Sequence, residues 1–136
     1  MLLIGNGNVI TRDDARPLVA NGAVAARDGA IVEVGSWEAL RAKYPGAEVL
    51  DARGGVIMPG LINAHNHIYS AFARGMAIKG YAAKGFLEIL DGLWWTLDRH
   101  LKNPDTRLSA DMIFVDSIEN GVTTVIDHHA SYGEIE

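Results

Sequence analysis

The chain contains no cysteine in its 136 residues, which excludes disulfide bonds and thiolate metal sites. Its 12 lysine and arginine residues are scattered and outnumbered by 17 acidic residues, so no patch is available to neutralise nucleic-acid phosphates. No apolar run approaches the about 20 residues of a membrane span. The first residues lack the charged start and apolar core of a secretory signal. These absences predict a cytoplasmic protein with neither nucleic-acid nor membrane partners.

The first 55 residues have the pattern of short strands joined by tight turns. Asp28–Gly29 predicts a two-residue hairpin, because both central positions of such a turn need a positive φ. Ser36 is placed to cap a short helix over residues 37–44 through its side-chain oxygen. We interpret this segment as part of a small β-domain.

From residue 56 onward the chain alternates between strand and helix patterns. Val56–His67 is predicted as an apolar strand, a helical stripe runs from Phe86 to Leu101, and Asn103–Pro104 is predicted to open another helix. Four apolar positions predict the inner face of that helix: Leu108, Met112, Val115 and Ile118. The β-branched run Val122–Asp127 follows as a buried strand. A strand, helices and a second strand form a βαβ unit with parallel strands, so the predicted class is α/β.

Two histidines end the predicted strand Val56–His67. Side chains alternate between the faces of a strand, so His65 and His67, two positions apart, are expected to point to the same side. Neutral imidazole is a common ligand of zinc, and two of them supply half of a tetrahedral shell. The alternative is a pair of structural histidines hydrogen-bonded to backbone at a strand end.

The string Pro59–His67 resembles the first-strand signature of the amidohydrolase superfamily, written PG-hydrophobic-hydrophobic-(D/N)-x-H-x-H. The turn at residues 27–31 and the run Gly121–Val125 are similar to further elements of that family. Residues 71–75 and 86–95 resemble the branch that deaminates rings and related amines, in particular its SsnA-type aminohydrolases.

The resemblance implies a distorted (β/α)₈ barrel joined to a β-sandwich that both chain ends build. Residues 1–55 would supply the N-terminal strands of that composite sandwich. Residues 56–136 would supply the first two barrel strands and their helices. The family's other metal ligands and its acid–base residue come from later strands and have no matching position here. The catalytic residues are therefore unknown and are expected beyond residue 136, and the 136 residues alone are expected to be inactive.

In this interpretation His65 and His67 are metal ligands, and the cofactor is a divalent ion, zinc first, with iron or manganese as alternatives. The implied reaction is hydrolysis of a C–N bond in a small heterocyclic amine by metal-activated water. One alternative is an amide or cyclic ureide hydrolase of the same superfamily. The other is a non-catalytic interaction module, since two barrel strands leave open edges that invite self-association or pairing with the missing remainder of the barrel.

Three further residues are candidates for contact with a small-molecule substrate. His128 follows the second predicted strand, and alternation from Val122 turns it towards the barrel mouth. The alternative for His128 is a solvated loop position. Tyr69 stands where dihydroorotase-like relatives tend to carry an arginine, which disfavours their carboxylate substrates. Arg74 is predicted either to cap a helix or to touch the substrate.

Overall fold

The computed structural model describes residues 1–130. Its backbone contacts divide the chain into a first unit, Met1–Pro59, and a second unit from Gly60 onward. The predicted boundary after residue 55 falls near this division, and the assignment of residues 1–55 to a composite sandwich stays a prediction.

The first unit is a five-stranded sheet with one helix. The elements are β1 Leu2–Ile10, β2 Leu18–Arg27, β3 Ala30–Ser36, α1 Trp37–Lys43, β4 Glu48–Asp51 and β5 Val56–Ile57. The sheet order is β3-β2-β1-β4, and β5 also pairs with β1. β1 is antiparallel to β2 and parallel to β4 and β5, whereas β2 is antiparallel to β3.

Local sequence signals account for the turns of this unit. Asp28 and Gly29 adopt φ values of +53° and +78° between β2 and β3, which confirms the predicted hairpin. The Ser36 hydroxyl accepts a hydrogen bond from the Ala39 N–H at 3.3 Å, which confirms the predicted helix cap. The side chain of Leu40 then packs into a buried cluster with Leu3, Ala23 and Ala25.

The second unit contains a two-stranded parallel sheet, in which Leu61 faces Val122 and Asn66 faces Asp127. This pairing confirms the predicted βαβ arrangement and the α/β class. The elements are β6 Leu61–Asn66, a 3₁₀ segment Ile68–Ala73, α2 Phe86–Ile89, a π-helical turn Leu90–Trp94, α3 Trp95–His100, α4 Asn103–Glu119 and β7 Val122–Asp127.

The predicted continuous strand Val56–His67 is wrong, because β5 and β6 are separate strands in different units. Pro59 lies in the break, where its missing N–H cannot join a ladder. Gly60 fits against the side chain of Thr123, and a Cβ at this position would overlap it. Three residues, Met58–Gly60, therefore connect the last strand of the first sheet to the first strand of the second.

Two helical predictions also differ from the structure. The stripe from Phe86 to Leu101 does not form one regular helix, because the π turn interrupts it. The predicted inner face of α4 is exposed, with Ile118 at 76%, and the fully buried residue is Ser109. α4 packs this other side against the 3₁₀ segment. Within residues 1–130 no helix is long and apolar enough to cross a membrane.

Candidate metal and substrate site

The two histidines at the end of β6 converge. His65 is the last residue but one of the strand, and His67 follows the strand directly. Their Nε2 atoms are 3.2 Å apart. The side-chain oxygens of Asn63 and Asn66 accept hydrogen bonds from the backbone N–H groups of His65 and His67, at 3.3 and 2.8 Å. These two amides hold the strand end in the shape that brings both rings to one side.

A backbone carbonyl fixes which nitrogen of His67 carries the proton. The Nδ1 atom of His67 lies 2.8 Å from the carbonyl oxygen of His128. A carbonyl can only accept, so Nδ1 must donate, and the Nε2 atom of the neutral ring then keeps its lone pair. The N–H of His128 in turn donates to the carbonyl of Asn66 at 2.7 Å. Donation of the second ring nitrogen to a carbonyl is the usual arrangement behind a metal-binding histidine.

The spacing of the two Nε2 atoms fits a bound divalent ion. Two imidazole nitrogens on one tetrahedral zinc, at Zn–N distances of about 2.0–2.1 Å, lie about 3.3–3.4 Å apart. The observed separation is 3.2 Å, which also allows His65 to donate to His67 in the metal-free state. No cluster of three or more His, Cys, Asp or Glu suited to a metal occurs among residues 1–130. The two imidazoles are thus spaced so that they could share one such ion.

Aromatic rings surround the histidine pair. The His128 imidazole stacks on His65 with centroids 4.2 Å apart and planes 25° apart. The Trp94 indole lies 6.3 Å from the His67 ring at 30°. Trp94 lies within the helical stripe predicted from Phe86 to Leu101, but in the structure it closes the π turn beside the site. Sequence periodicity assumes a constant 3.6-residue repeat and cannot place a residue after such a turn.

An open cavity of about 460 Å³ lies beside the histidine pair. It brings together three of the predicted site residues, His65, His67 and Arg74, with Trp94. The Arg74 guanidinium lies 3.5 Å from the Asp116 carboxylate, and both side chains are largely exposed, so this ion pair constrains Arg74 only weakly. The remaining lining residues are Asn66, Ser70, Ala71, Ala73 and Ile113.

The other two predicted substrate residues do not line this cavity. His128 is exposed and touches the histidine rings. Tyr69 is only 3% exposed, and its ring meets the edge of His67 at 6.0 Å. Burial, together with the negative charge of Asp98, raises the pKa of Tyr69 to about 12. The phenol therefore stays protonated at neutral pH, next to the His67 ring.

Asp98 is a buried carboxylate that sequence analysis missed. It is 6% exposed, and one carboxylate oxygen has no partner among the described residues. Burial raises its pKa, and a hydrogen bond from Tyr69 acts in the opposite direction. The sequence does contain a sign of this buried carboxylate. Asp98 lies four residues after Trp94, so it places a charge on an otherwise apolar helical stripe.

Comparisons with known proteins agree with this fold. The profile of the bacterial imidazolonepropionase-like composite domain matches residues 22–47. The 5-methylthioadenosine/S-adenosylhomocysteine deaminase of Pyrococcus furiosus is 32% identical over 134 residues, which cover 98% of the chain and 30% of the relative. The enzyme of the same name from Nitratidesulfovibrio vulgaris is 42% identical over 69 residues, covering 51% and 16%.

Among solved structures, atrazine chlorohydrolase TrzN from Arthrobacter aurescens complexed with zinc superimposes with a TM-score of 0.74 at 28% identity, covering 95% of the chain and 29% of that protein. In fold and sequence the chain matches the N-terminal part of proteins of the amidohydrolase superfamily, these deaminases among them. It spans less than a third of the length of these three relatives. The narrower resemblance to SsnA-type aminohydrolases stays a prediction.

Proposed function

We propose that the chain is the N-terminal part of a cytoplasmic, metal-dependent hydrolase that cleaves a non-peptide C–N bond in a small heteroaromatic amine. The observation that carries the proposal is the pair of Nε2 atoms of His65 and His67, 3.2 Å apart, with the Nδ1–H of His67 anchored on a carbonyl. The names of the relatives, which are deaminases of adenine nucleosides, support the reaction type.

His65 and His67 are the residues that would hold the divalent ion, and the zinc complex of the structural neighbour supports zinc. When bound, such an ion would lower the pKa of its water to about 7 and so supply hydroxide at neutral pH. Catalytic zinc usually has three protein ligands. The remaining ligands and the acid–base residue are therefore proposed to come from outside the 136 residues.

The surroundings of the histidine pair suit a planar substrate. Trp94 lines the cavity, and an indole ring stacks favourably with a heteroaromatic ring. Arg74 has an exposed guanidinium on the same cavity, where it would contact polar substituents of the substrate. His128 does not line this cavity, and we propose that it contacts the substrate beside His65, on which its ring stacks. The buried phenol of Tyr69 would support the site from beneath it.

Ammonia release by the full-length protein that carries this chain tests the proposal. Substrates would be 5′-methylthioadenosine, S-adenosylhomocysteine and an aminated triazine, each assayed with and without a zinc chelator. We expect turnover of at least one substrate, its loss on chelation and its return with added zinc. Turnover that survives chelation would contradict the proposal.

Variants of single histidines separate metal binding from general damage. His65→Ala and His67→Ala are each expected to abolish turnover and to lower the bound zinc. His100→Ala is the matched control, because His100 is exposed, anchors its Nδ1 on the Thr96 carbonyl at 2.6 Å and does not line the cavity. It should leave both quantities unchanged. Full zinc content in His65→Ala and His67→Ala would refute the assignment of these ligands.

A further inference from the structure

Asp127 joins the ends of the two strands of the second unit. One carboxylate oxygen accepts the backbone N–H of Ile68 at 2.7 Å, and the other lies 2.9 Å from the Nδ1 atom of His129. Both contacts are partly shielded, since the side chains of Asp127 and His129 are each 23% exposed. Such hydrogen bonds to a carboxylate are stronger than those between neutral groups.

The two groups held by Asp127 are the immediate neighbours of the two residues that orient the site. Ile68 follows His67, and His129 follows His128, whose carbonyl accepts the Nδ1–H of His67 at 2.8 Å. The His128 N–H donates to the Asn66 carbonyl at 2.7 Å and closes the connection between the strands. A displacement of either strand end would therefore move the carbonyl away from the His67 ring.

We propose that Asp127 is a positioning residue for the histidine pair. Its carboxylate clamps the segments after β6 and β7 together, so that the His128 carbonyl stays on Nδ1 of His67 and the Nε2 lone pair points at the ion. The inference rests on the proposed function, because it assigns this geometry to a metal site. Asp127 itself does not line the cavity beside the histidine pair.

The carboxylate of Asp127 supplies two hydrogen-bond acceptors, and two variants remove either both of them or one. Asp127→Ala removes both acceptors and leaves the partly buried Ile68 N–H without its partner. Asp127→Asn keeps one acceptor oxygen for Ile68 and offers His129 a donor instead, so it should rescue part of the effect. Asp51→Asn is a matched control in the first unit, where Asp51 accepts the Arg53 N–H at 2.8 Å and the Asn6 amide at 2.7 Å.

Zinc affinity of the full-length protein, measured by competition with a chromophoric chelator, tests the proposal. We expect Asp127→Ala to weaken zinc binding by about 10–100-fold, the range found for residues that support metal ligands. Asp127→Asn should show a smaller loss and Asp51→Asn none. Cobalt substitution should give altered ligand-field bands in Asp127→Ala. Unchanged affinity in Asp127→Ala overturns the proposal, and if that variant does not fold, unchanged affinity in Asp127→Asn does so.

Histidine nitrogen shifts in the metal-free protein distinguish this proposal from the one it rests on. Selective ¹⁵N labelling should show His67 with its proton on Nδ1 in the wild type and a mixture of tautomers in Asp127→Ala, or in Asp127→Asn if the alanine variant does not fold. A wild type that binds no zinc would overturn the proposed function alone. Unchanged His67 shifts in the variant overturn the positioning role whether or not zinc binds.

Discussion

At the scale of single residues, the contact between His67 and the carbonyl of His128 decides what the site can do. It places the proton on Nδ1 and leaves Nε2 available, 3.2 Å from its counterpart on His65. The spacing of two histidines on a strand predicts that their side chains share a face. The partner of Nδ1 cannot be predicted in this way, because it lies 61 residues further along the chain and comes from the backbone.

The phenol of Tyr69 provides a test of the buried layer beneath these rings. Burial and the charge of Asp98 raise the pKa of Tyr69 to about 12 from the usual 10.0. The folded state therefore binds this proton more tightly than the unfolded chain. Its contribution to stability is complete below pH 10 and is lost as the pH rises towards 12.

A titration of absorbance at 295 nm, over the range in which the circular dichroism stays constant, should show a late-titrating phenol. Tyr69→Phe should remove that late step. Asp98→Asn should move it to lower pH, because the carboxylate charge opposes formation of the phenolate. Tyr81→Phe serves as the control and should leave the late step in place. A late step that persists in Tyr69→Phe would show that the assignment is incorrect.

At the scale of elements, the predictable features are those set by neighbouring residues. The Asp28–Gly29 hairpin and the Ser36 cap follow from backbone preferences and short-range hydrogen bonds, and both form as predicted. The break at Pro59 and the buried face of α4 depend on which distant element packs nearby. Apolar periodicity identifies the most hydrophobic face of α4. In the structure that face is exposed, whereas Ser109 is buried and α4 contacts the 3₁₀ segment.

The packing of the π turn depends on a glycine. A Cβ on Gly92 would overlap the ring of Tyr81, whose hydroxyl is held by the carbonyl of Glu88 at 3.0 Å. We expect Gly92→Ala to lower the free energy of unfolding by about 1–3 kcal/mol, as for other overpacked sites. It should also change the fluorescence of Trp94, which closes the same turn. Urea unfolding measures the first effect.

Gly46→Ala is the control for this variant, because a Cβ on Gly46 meets no atom within 4 Å and its φ is not positive. It should unfold with a midpoint close to that of the wild type. If Gly92→Ala were as stable as Gly46→Ala and its fluorescence unchanged, the close approach of Tyr81 would not constrain the turn.

In the first unit, hydrogen bonds among three side chains link β3 to the end of α1 and the residue that follows it. The Glu33 carboxylate accepts hydrogen bonds from the Lys43 ammonium at 2.7 Å and from the Tyr44 hydroxyl at 2.8 Å, and these bonds lower the pKa of Glu33. A lowered pKa means that this stabilisation is present above the unfolded value of 4.5 and is lost as the pH falls through the folded value.

Glu33→Gln is therefore expected to melt at a lower temperature than the wild type at pH 7. That difference should shrink as the pH falls below 4.5, where the wild-type carboxylate becomes protonated. Glu48→Gln, at an exposed position of the same unit, should melt like the wild type at both pH values. A difference in melting temperature that is independent of pH would assign the effect to packing rather than to the charge.

At the scale of the whole molecule, the second unit leaves many apolar side chains exposed. Within residues 1–130 its sheet has two strands, and the exposed fractions reach 65% for Ile62 on β6, 51% for Ile126 on β7 and 76% for Ile118 on α4. Open strand edges and apolar faces of this kind promote association. In the structural relatives, the N-terminal part that this chain matches is less than a third of the protein.

The 136 residues expressed alone are therefore expected to self-associate, with a mass that rises with concentration in light scattering. Full-length protein should show one mass over the same range, because the residues that follow would cover these faces. The double variant Ile62→Asp and Ile126→Asp should reduce association of the short chain. Ile31→Asp, at a 69% exposed position of the first unit, is the matched control and should not. A short chain that stays monomeric at all concentrations tested would contradict the prediction. If Ile31→Asp reduced association and the double variant did not, the contact would lie on the first unit instead.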